Sequence, residues 1–255
     1  MPLENCTRCN GTGWIIVQQE EVSGAQRCDC EAVARAAGLE EKAQLPPLYR
    51  HASLDTFVLP RDNMMAHRDL ATVLLEIKAF VREFPNEKRP GLLLVGEPGT
   101  GKTHLAVAAL RMLMARGFAG LFCDYQTLLD TIRSSYNVTS GASDKQAYRM
   151  ALDAEVLLLD DLGAQRVTDW ALDTVTSIIT HRCNYRKPQI ATSNMPDPEA
   201  GSVTTRRNSA TNQPEYRETL SDRVGPRARS RLFEMCRVIK MPLVEDYRLR
   251  SGPRS

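Results

Sequence analysis

The sequence predicts an α/β domain, a five-stranded parallel sheet flanked by helices, with a small cysteine-bearing module in front of it. The sheet is indicated by short apolar runs that alternate with longer segments of helical composition. A glycine-rich stretch follows the first run directly, as at a strand-to-helix junction of a parallel sheet. The chain of 255 residues is long enough for one such domain and an appendage. The apolar runs occupy residues 92–95, 120–124, 156–159, 189–194 and 236–241.

The composition is that of an ordinary globular protein. Apolar and charged residues make up 42% and 25% of the chain, as in ordinary globular proteins. The net charge of +2 does not by itself indicate a nucleic-acid-binding protein. The sequence contains neither a run of about 18 apolar residues nor a signal-peptide pattern. We therefore expect a cytoplasmic protein with no membrane partner.

The cysteines near the start of the chain predict a zinc module. They are spaced C-x2-C-x18-C-x-C, and four thiolates in two close pairs can close a tetrahedral zinc site. A hairpin between residues 14–17 and 25–28, turning near Ser23 and Gly24, would bring the pairs together. A disordered reduced tail and a redox C-x-x-C motif are the alternatives. The expected ligands are Cys6, Cys9, Cys28 and Cys30.

Two helices are predicted between this module and the first strand. Residues 31–44 are rich in Ala, Glu and Arg, and Pro46 and Pro47 end that helix. We place the domain boundary there, with a zinc module and helix over 1–44 and the α/β domain over 45–255. Residues 63–84 carry apolar side chains at helical spacing, which predicts a long helix packed on the core.

The glycine-rich stretch has the form G-x-x-x-x-G-K-T of a phosphate-binding loop. Its glycines let successive backbone N–H groups point at one phosphate, and the following helix adds a favourable dipole. Lys102 would reach the β- and γ-phosphates of ATP, and the Thr103 hydroxyl would hold Mg²⁺. An ordinary glycine-rich turn is the alternative. The residues expected to bind the nucleotide are Gly96, Glu97, Pro98, Gly99, Thr100, Gly101, Lys102, Thr103 and His104.

Polar side chains end two of the later apolar runs. Residues 156–159 run straight into Asp160 and Asp161. Asp160 would hold the Mg²⁺ shell through water, and Asp161 could polarise the water that attacks the γ-phosphate. Asn194, at the end of the next run, could orient the same water. Surface aspartates and a turn asparagine are the alternatives. Combined with the phosphate loop, these residues predict ATP hydrolysis.

The last part of the chain offers a cation for the transition state. Residues 195–213 are polar and predict a long mobile loop, to which we assign no role. Gly225 should break a helix, and a new one should start near Arg227. Arg231 is the first candidate for the cation and Arg227 the second. Because both are far along the chain, supply by a neighbouring subunit is natural, and hydrolysis would then depend on an ATP-dependent homo-oligomer.

These motifs resemble the AAA+ ATPases of the DnaC/DnaI helicase-loader group, which also includes the IstB transposition helpers. The resemblance covers roughly residues 45–250. The linker segments LPPLYR and LDTF, at 45–50 and 54–57, and the cysteine module are similar to those of the group. The core motifs are GEPGTGKTHLA at 96–106, VLLLDDLG at 156–163, Thr192-Ser193-Asn194, and RARSRL at 227–232.

The resemblance implies a role for each matching residue. Residues 50–57 would border the adenine. Walker B more often carries Asp-Glu, so the shorter Asp161 could slow hydrolysis. About twenty residues follow Leu232, so we expect no helical lid and at best a weak sensor 2 in Arg248. The implied roles are nucleotide and Mg²⁺ binding for Lys102 and Thr103, Walker B for Asp160 and Asp161, sensor 1 for Asn194, and arginine finger for Arg231.

The resemblance also implies partners. In this group the N-terminal module holds the replicative DnaB-type helicase, and the core binds single-stranded DNA along a spiral. A basic and aromatic segment between the second and third strands could contact DNA, although an exposed helical face explains it equally well. A transposition helper acting on duplex DNA and a nucleotide-binding adaptor with negligible turnover are the alternatives. The segment contains Arg133, Tyr136, Lys145, Tyr148 and Arg149.

Overall fold

The computed structural model describes residues 5–19, 22–86, 88–135, 146–164, 166–207 and 213–247. The strands are β1 (Trp14–Gln19), β2 (Val22–Arg27), β3 (Gly91–Val95), β4 (Gly120–Asp124), β5 (Val156–Asp160), β6 (Gln189–Ser193), β7 (Thr205–Arg207), β8 (Pro214–Tyr216) and β9 (Cys236–Lys240). The helices are α1 (Cys30–Lys42), α2 (Met64–Glu83), α3 (Lys102–Ala115), α4 (Tyr125–Ser135), α5 (Gln146–Asp153), α6 (Asp169–Asn184), α7 (Leu220–Val224) and α8 (Pro226–Met235).

The five-stranded sheet confirms the predicted fold class. Its strand order is β4-β5-β6-β3-β9, and every neighbouring pair is parallel. The carboxyl ends of β3, β5 and β6 therefore meet at one edge of the sheet. That edge brings together the phosphate loop, the two aspartates and Asn194, as expected for an open α/β sheet.

The sheet is buried on both faces. Leu92 and Leu94 of β3 pack with α2 and α3, whereas Leu93 and Val95 pack with α6, α7 and α8. All four side chains are fully buried. Burial on both faces explains why the inner strands β3 and β5 contain continuous apolar runs, without alternating polar residues.

The predicted helices form, with ends shifted by one or two residues. Helix α2 buries the predicted apolar stripe. Helix α7 ends at Val224 and α8 begins at Pro226, so the break lies at Gly225, as expected. Among the described residues, no helix combines the length and the hydropathy needed to cross a membrane.

Helix α1 covers the outer edge of the sheet. The backbone N–H of Phe122, in edge strand β4, donates to the carbonyl of Ala43 at 2.8 Å. Glu40 forms a two-pronged ion pair with Arg111 of α3, at 3.0 and 3.3 Å. This segment therefore packs on the sheet although it precedes residue 45. The boundary between 1–44 and 45–255 stays a prediction.

The N-terminal hairpin differs in register from the prediction. Strands β1 and β2 pair antiparallel, with Trp14 opposite Arg27 and Val17 opposite Gly24. Ser23 and Gly24 therefore lie within β2, and the connection falls at residues 20–21, outside the described residues. The longer strands pair more backbone donors and acceptors than the four-residue strands that the apolar run suggested.

The polar stretch 195–213, predicted to be a long mobile loop, also differs from the prediction because part of it is a strand. It contains β7, which pairs antiparallel with β8, and the Arg217 N–H donates to the Thr204 carbonyl at 2.8 Å. Residues 208–212 lie outside the described part. A polar composition concealed this hairpin because a short exposed hairpin needs backbone hydrogen bonds and no apolar face.

Candidate functional site

The phosphate loop joins β3 to α3. Gly99 and Gly101 have φ angles of +77° and +89°, in the left-handed region that favours glycine. Gly101 is also the N-cap of α3, which begins at Lys102. The first-turn N–H groups of α3 therefore face the loop, and such groups bind phosphate oxygens well.

The Lys102 side chain is buried within the loop. Its Nζ donates to the carbonyl oxygens of Gly96 at 2.9 Å and of Glu97 at 2.7 Å. These bonds hold the ammonium where the loop N–H groups converge. A phosphate oxygen would be a stronger acceptor than a carbonyl because it is charged.

Thr103 and Asp160 meet across the edge of the sheet. Thr103 Oγ1 donates to Asp160 Oδ1 at 2.9 Å, and Thr192 Oγ1 donates to the same oxygen at 2.6 Å. Because the Thr103 hydroxyl proton points at Asp160, the lone pairs of its oxygen remain for a cation. Sequence reasoning gave Thr192 no role. The available signal was a hydroxyl at a strand end, two residues before Asn194.

Asp160 is a buried carboxyl in an arrangement that suits a cation. Burial raises the pKa of Asp160 because desolvation disfavours the carboxylate. The hydrogen bonds from Thr192 and Thr103 act in the opposite direction. A divalent cation beside the carboxylate would favour its charged form. The oxygen donors present here therefore fit Mg²⁺, which prefers carboxylate, hydroxyl and water oxygens.

Asp161 and Asn194 face each other beyond the strand ends. Asp161 has a φ of +56°, which turns its side chain away from the strand direction. The Asn194 Nδ2 group donates to Asp161 Oδ1, and the Asp161 N–H donates to Thr192 Oγ1 at 2.9 Å. The carboxylate is thereby oriented by a neighbouring strand, as a group that positions a water requires.

Eight of the predicted site residues line one cavity of about 510 Å³, whose described lining does not include Gly96, Glu97, Pro98 or Thr100. That volume is in the range of small-molecule sites. The cavity brings together the loop, both carboxylates and Asn194, whereas Arg227 and Arg231 are not among the described residues that line it. Its predicted lining residues are Gly99, Gly101, Lys102, Thr103, His104, Asp160, Asp161 and Asn194.

The linker lines the cavity with residues other than the predicted 50–57. Within residues 50–57, the Ser53 carbonyl lies 2.8 Å from His104 Nε2, and Thr56 Oγ1 lies 3.2 Å from it. The linker residues that line the cavity are instead Leu48 and Tyr49. They belong to a short 3₁₀ turn, which projects them towards the cavity while the following residues pack along α3.

A second contact to the phosphate loop was not predicted. Glu97 forms a two-pronged ion pair with Arg217, at 2.6 and 3.2 Å. Arg217 follows β8 directly, so the hairpin β7–β8 is attached to the phosphate loop by this ion pair. The pairing of residues so far apart in the chain leaves no local pattern in the sequence.

The arginines of α8 have three different environments. Arg231 pairs with Glu234 of the same helix at 2.7 Å. Arg227 is exposed, and no hydrogen bond or ion pair joins it to the described part of the chain. Arg229 binds the buried Asp197 with two bonds, at 2.7 and 2.9 Å, which fixes α8 against the segment after Asn194.

The four N-terminal cysteines form a cluster. The Sγ atoms of Cys6 and Cys28 are 3.7 Å apart, those of Cys9 and Cys30 are 3.5 Å apart, and all four lie within 4.8 Å of one another. Tetrahedral ligands at about 2.3 Å from zinc would be about 3.8 Å apart, so the donor set fits zinc. Backbone N–H groups of Cys9 and Arg8 lower the pKa of the Cys6 thiol to about 6.

The predicted DNA-contacting segment packs partly on α6. The Arg133 guanidinium lies 5.7 Å from the Trp170 ring centroid, and the Tyr148 hydroxyl lies 2.7 Å from Ser177 Oγ. Arg149 is exposed. Tyr136 and Lys145 lie outside the described residues. This part of the site stays a prediction.

Comparison with known proteins identifies the relatives of this chain. The IstB-like ATP binding protein family matches residues 30–209. The phage-like element PBSX protein XkdC of Bacillus subtilis (strain 168) is 23% identical over 197 residues, which cover 75% of this chain and 72% of that protein. The replicative helicase loader DnaC of Escherichia coli (strain K12) is 22% identical over 186 residues, which cover 71% and 73%.

A solved structure supports the same relationship. The crystal structure of the DnaC helicase loader matches with a TM-score of 0.60 and 31% identity, covering 77% of this chain and 100% of that one. The family match contains the phosphate loop, both aspartates and Asn194. The family match begins at Cys30, so the other three cysteines of the N-terminal cluster precede it.

Proposed function

Because the chain belongs to the family of IstB-like ATP-binding proteins, we propose that it is an ATP-dependent loader that delivers a DnaB-type replicative helicase to single-stranded DNA. The protein is an ATPase of the AAA+ type. The observation that supports a switch driven by hydrolysis is the pairing of Thr103 with Asp160 beside the pairing of Asn194 with Asp161. Such a function places the protein in the cytoplasm.

In this proposal, the phosphate loop binds the triphosphate of ATP. Lys102 moves from the loop carbonyls to the β- and γ-phosphates. Thr103 and Asp160 would hold Mg²⁺. Bound Mg²⁺ would neutralise charge on the phosphates. Backbone N–H groups from Gly99 to Thr103 cradle the phosphate oxygens.

Three polar side chains have different roles in the hydrolytic step. Asp161 accepts a hydrogen bond from the attacking water and later its proton. Asn194 holds the Asp161 carboxylate in place. Arg231 reaches the γ-phosphate of a neighbouring subunit, with Arg227 as the second candidate. The pair of Arg231 with Glu234 is exposed and screened by solvent, so it does not prevent this.

The two arginines are tested by parallel substitution. We expect Arg231→Ala to lower assembly-dependent turnover by roughly 10³-fold because an arginine finger contributes that order of rate. Steady-state hydrolysis at increasing protein concentration measures it, with Arg237→Ala as the control. A loss in Arg227→Ala alone would move the finger to Arg227, and unchanged turnover in both variants would reject a finger on α8.

The cysteine module is proposed to bind zinc and to hold the helicase. Support comes from the four convergent thiols and from the name of the DnaC relatives. The proposal is tested by mixing the protein with the replicative helicase of its host and separating complexes by size exclusion. Co-elution that depends on ATP is expected. A failure to co-elute with and without ATP would reject the loader function.

A transposition helper is the second candidate, and the family name supports it. Such a protein would assemble on duplex DNA and recruit a transposase. Fluorescence anisotropy with labelled single-stranded and duplex DNA of equal length separates the two. The loader should prefer the single strand in the presence of ATP, whereas a preference for duplex would favour the transposition helper.

A further inference from the structure

The nucleotide cavity has lining residues of two chemical kinds. Lys102, Thr103 and the carboxylates suit phosphate and Mg²⁺. Leu48, Tyr49 and Tyr247 are apolar or aromatic. A nucleoside triphosphate has surfaces of the same two kinds, because its phosphates are charged and its base is a flat aromatic ring. The aromatic lining residues are therefore the ones suited to a base.

Tyr247 is held in the cavity wall by a stacked aromatic pair. Its ring is nearly parallel to that of Phe57, with an angle of 10° and a centroid distance of 6.0 Å. Phe57 is buried, and its ring lies against Gly101 and 5.6 Å from the ring of His104. Tyr247 lines the cavity and Phe57 does not. Phe57 thus supports Tyr247 from behind, and the Tyr247 side chain forms the wall.

The segment that carries Tyr247 is attached to the phosphate loop. The Met241 N–H donates to the Val95 carbonyl at 2.7 Å, and the Tyr247 N–H donates to the Gly99 carbonyl at 2.9 Å. A methyl group added at Gly99 would collide with the Asp246 carboxylate. The segment therefore follows the loop closely from its first residue to its tip. Its backbone bonds fix Tyr247 relative to the groups that bind phosphate.

The geometry points to Tyr247 as a nucleotide-positioning residue, whose ring stacks on the base of the bound nucleoside triphosphate. This inference rests on the proposed ATP site and adds the determinant for the base. Stacking of an aromatic side chain on a base is sequence-tolerant, since every base has a π face. Tyr247 should therefore distinguish nucleotides from bare phosphate chains more strongly than it distinguishes one base from another.

The test compares ATP with inorganic tripolyphosphate, which has the phosphates and lacks the base. Calorimetric titration of the full chain with each, in Mg²⁺, gives both dissociation constants. We expect Tyr247→Ala to weaken ATP binding by about tenfold and tripolyphosphate binding by less than about twofold. Tyr247→Phe should keep the wild-type affinity for ATP. Tyr185→Ala is the matched control, because that exposed tyrosine lies at the end of α6 and outside the cavity lining.

Three results would overturn the inference. If Tyr247→Ala lost affinity for ATP and for tripolyphosphate to the same extent, the segment would support the loop without contacting the base. Unchanged or tighter ATP binding in that variant would mean that Tyr247 makes no favourable stack. Wild-type protein that binds ATP no better than tripolyphosphate would exclude base recognition altogether. If the protein failed to co-elute with the helicase but showed the expected affinities, the proposed function would be refuted. The inference about Tyr247 would still hold.

Discussion

The cysteine module and the sheet domain are stabilised in opposite ways. In the described part of the module, the buried side chains that form its cluster are cysteines, with Ile15 packed against them. In the sheet domain, three apolar clusters bury the strands on both faces. A hairpin this small cannot offset its chain entropy by burying apolar area. We therefore expect the module to depend on a metal for its folding and the sheet domain to fold without one.

Removal of the metal is expected to have the largest effect. Structural zinc contributes roughly 10–16 kcal/mol to folding in small fingers, so a chelator should unfold the hairpin β1–β2. Hydrogen exchange should become rapid in β1 and remain slow in β3. Cys9→Ser should behave as the chelated protein, and Cys123→Ser, outside the cluster, should not. Equal protection of β1 with and without chelator would show that the hairpin needs no metal.

Replacing the proposed water-positioning carboxylate should affect only the sheet domain. Asp161→Asn is expected to lower turnover by about 10²–10⁴-fold and to leave ATP affinity within a few fold, because general-base assistance is lost while phosphate contacts remain. Turnover and nucleotide titration measure the two quantities, with exposed Asp173→Asn as the control. Measurable turnover that stays unchanged would mean that Asp161 does not position the water. Negligible turnover in the wild type, with function intact in Asp161→Asn, would support the nucleotide-binding adaptor.

A smaller effect, on stability, is expected from replacing the buried Asp160. Its pKa is raised in the folded protein, so its charged form costs stability above that pKa, and the cost disappears as falling pH protonates the carboxyl. Asp160→Asn should therefore raise the free energy of unfolding of the sheet domain at neutral pH while abolishing turnover.

The pH dependence makes this prediction specific. Thr103 and Thr192 both donate to Oδ1, so an amide oxygen can replace the acceptor. Urea unfolding at pH 7 and at pH 4 measures the free energy of unfolding of both proteins. The difference between variant and wild type should be smaller at pH 4 than at pH 7. A variant less stable than wild type at pH 7 would contradict the assignment.

The smallest effect concerns the link between the two regions. Glu40→Gln removes the charge of the partly buried pair with Arg111, which should cost about 1 kcal/mol or less. If α1 transmits loss of the metal to the sheet, this variant should also reduce the loss of α3 protection that a chelator causes. Glu41→Gln, on the exposed side of α1, is the control. Identical exchange in both variants would mean that the regions are independent.

Local patterns in the sequence predicted the parts of the site that are contiguous in the chain. The phosphate loop, Asp160 and Asp161 each follow a strand of unmistakable composition, and parallel pairing brings them to one edge. The packing of Tyr247 on Phe57 and the ion pair of Glu97 with Arg217 were missed. Both join segments far apart in the chain, so their contacts depend on tertiary packing and have no local period or spacing.

The hydrogen bond from Phe122 to Ala43 determines how this chain can be shortened. Cutting at residue 45, as the predicted boundary suggests, would remove the segment that covers β4 and expose an unpaired strand edge. Exposed edges of this kind pair with other molecules, so the shortened protein should aggregate. A fragment that begins ahead of Cys30 and keeps all of α1 would retain the cover while discarding the hairpin.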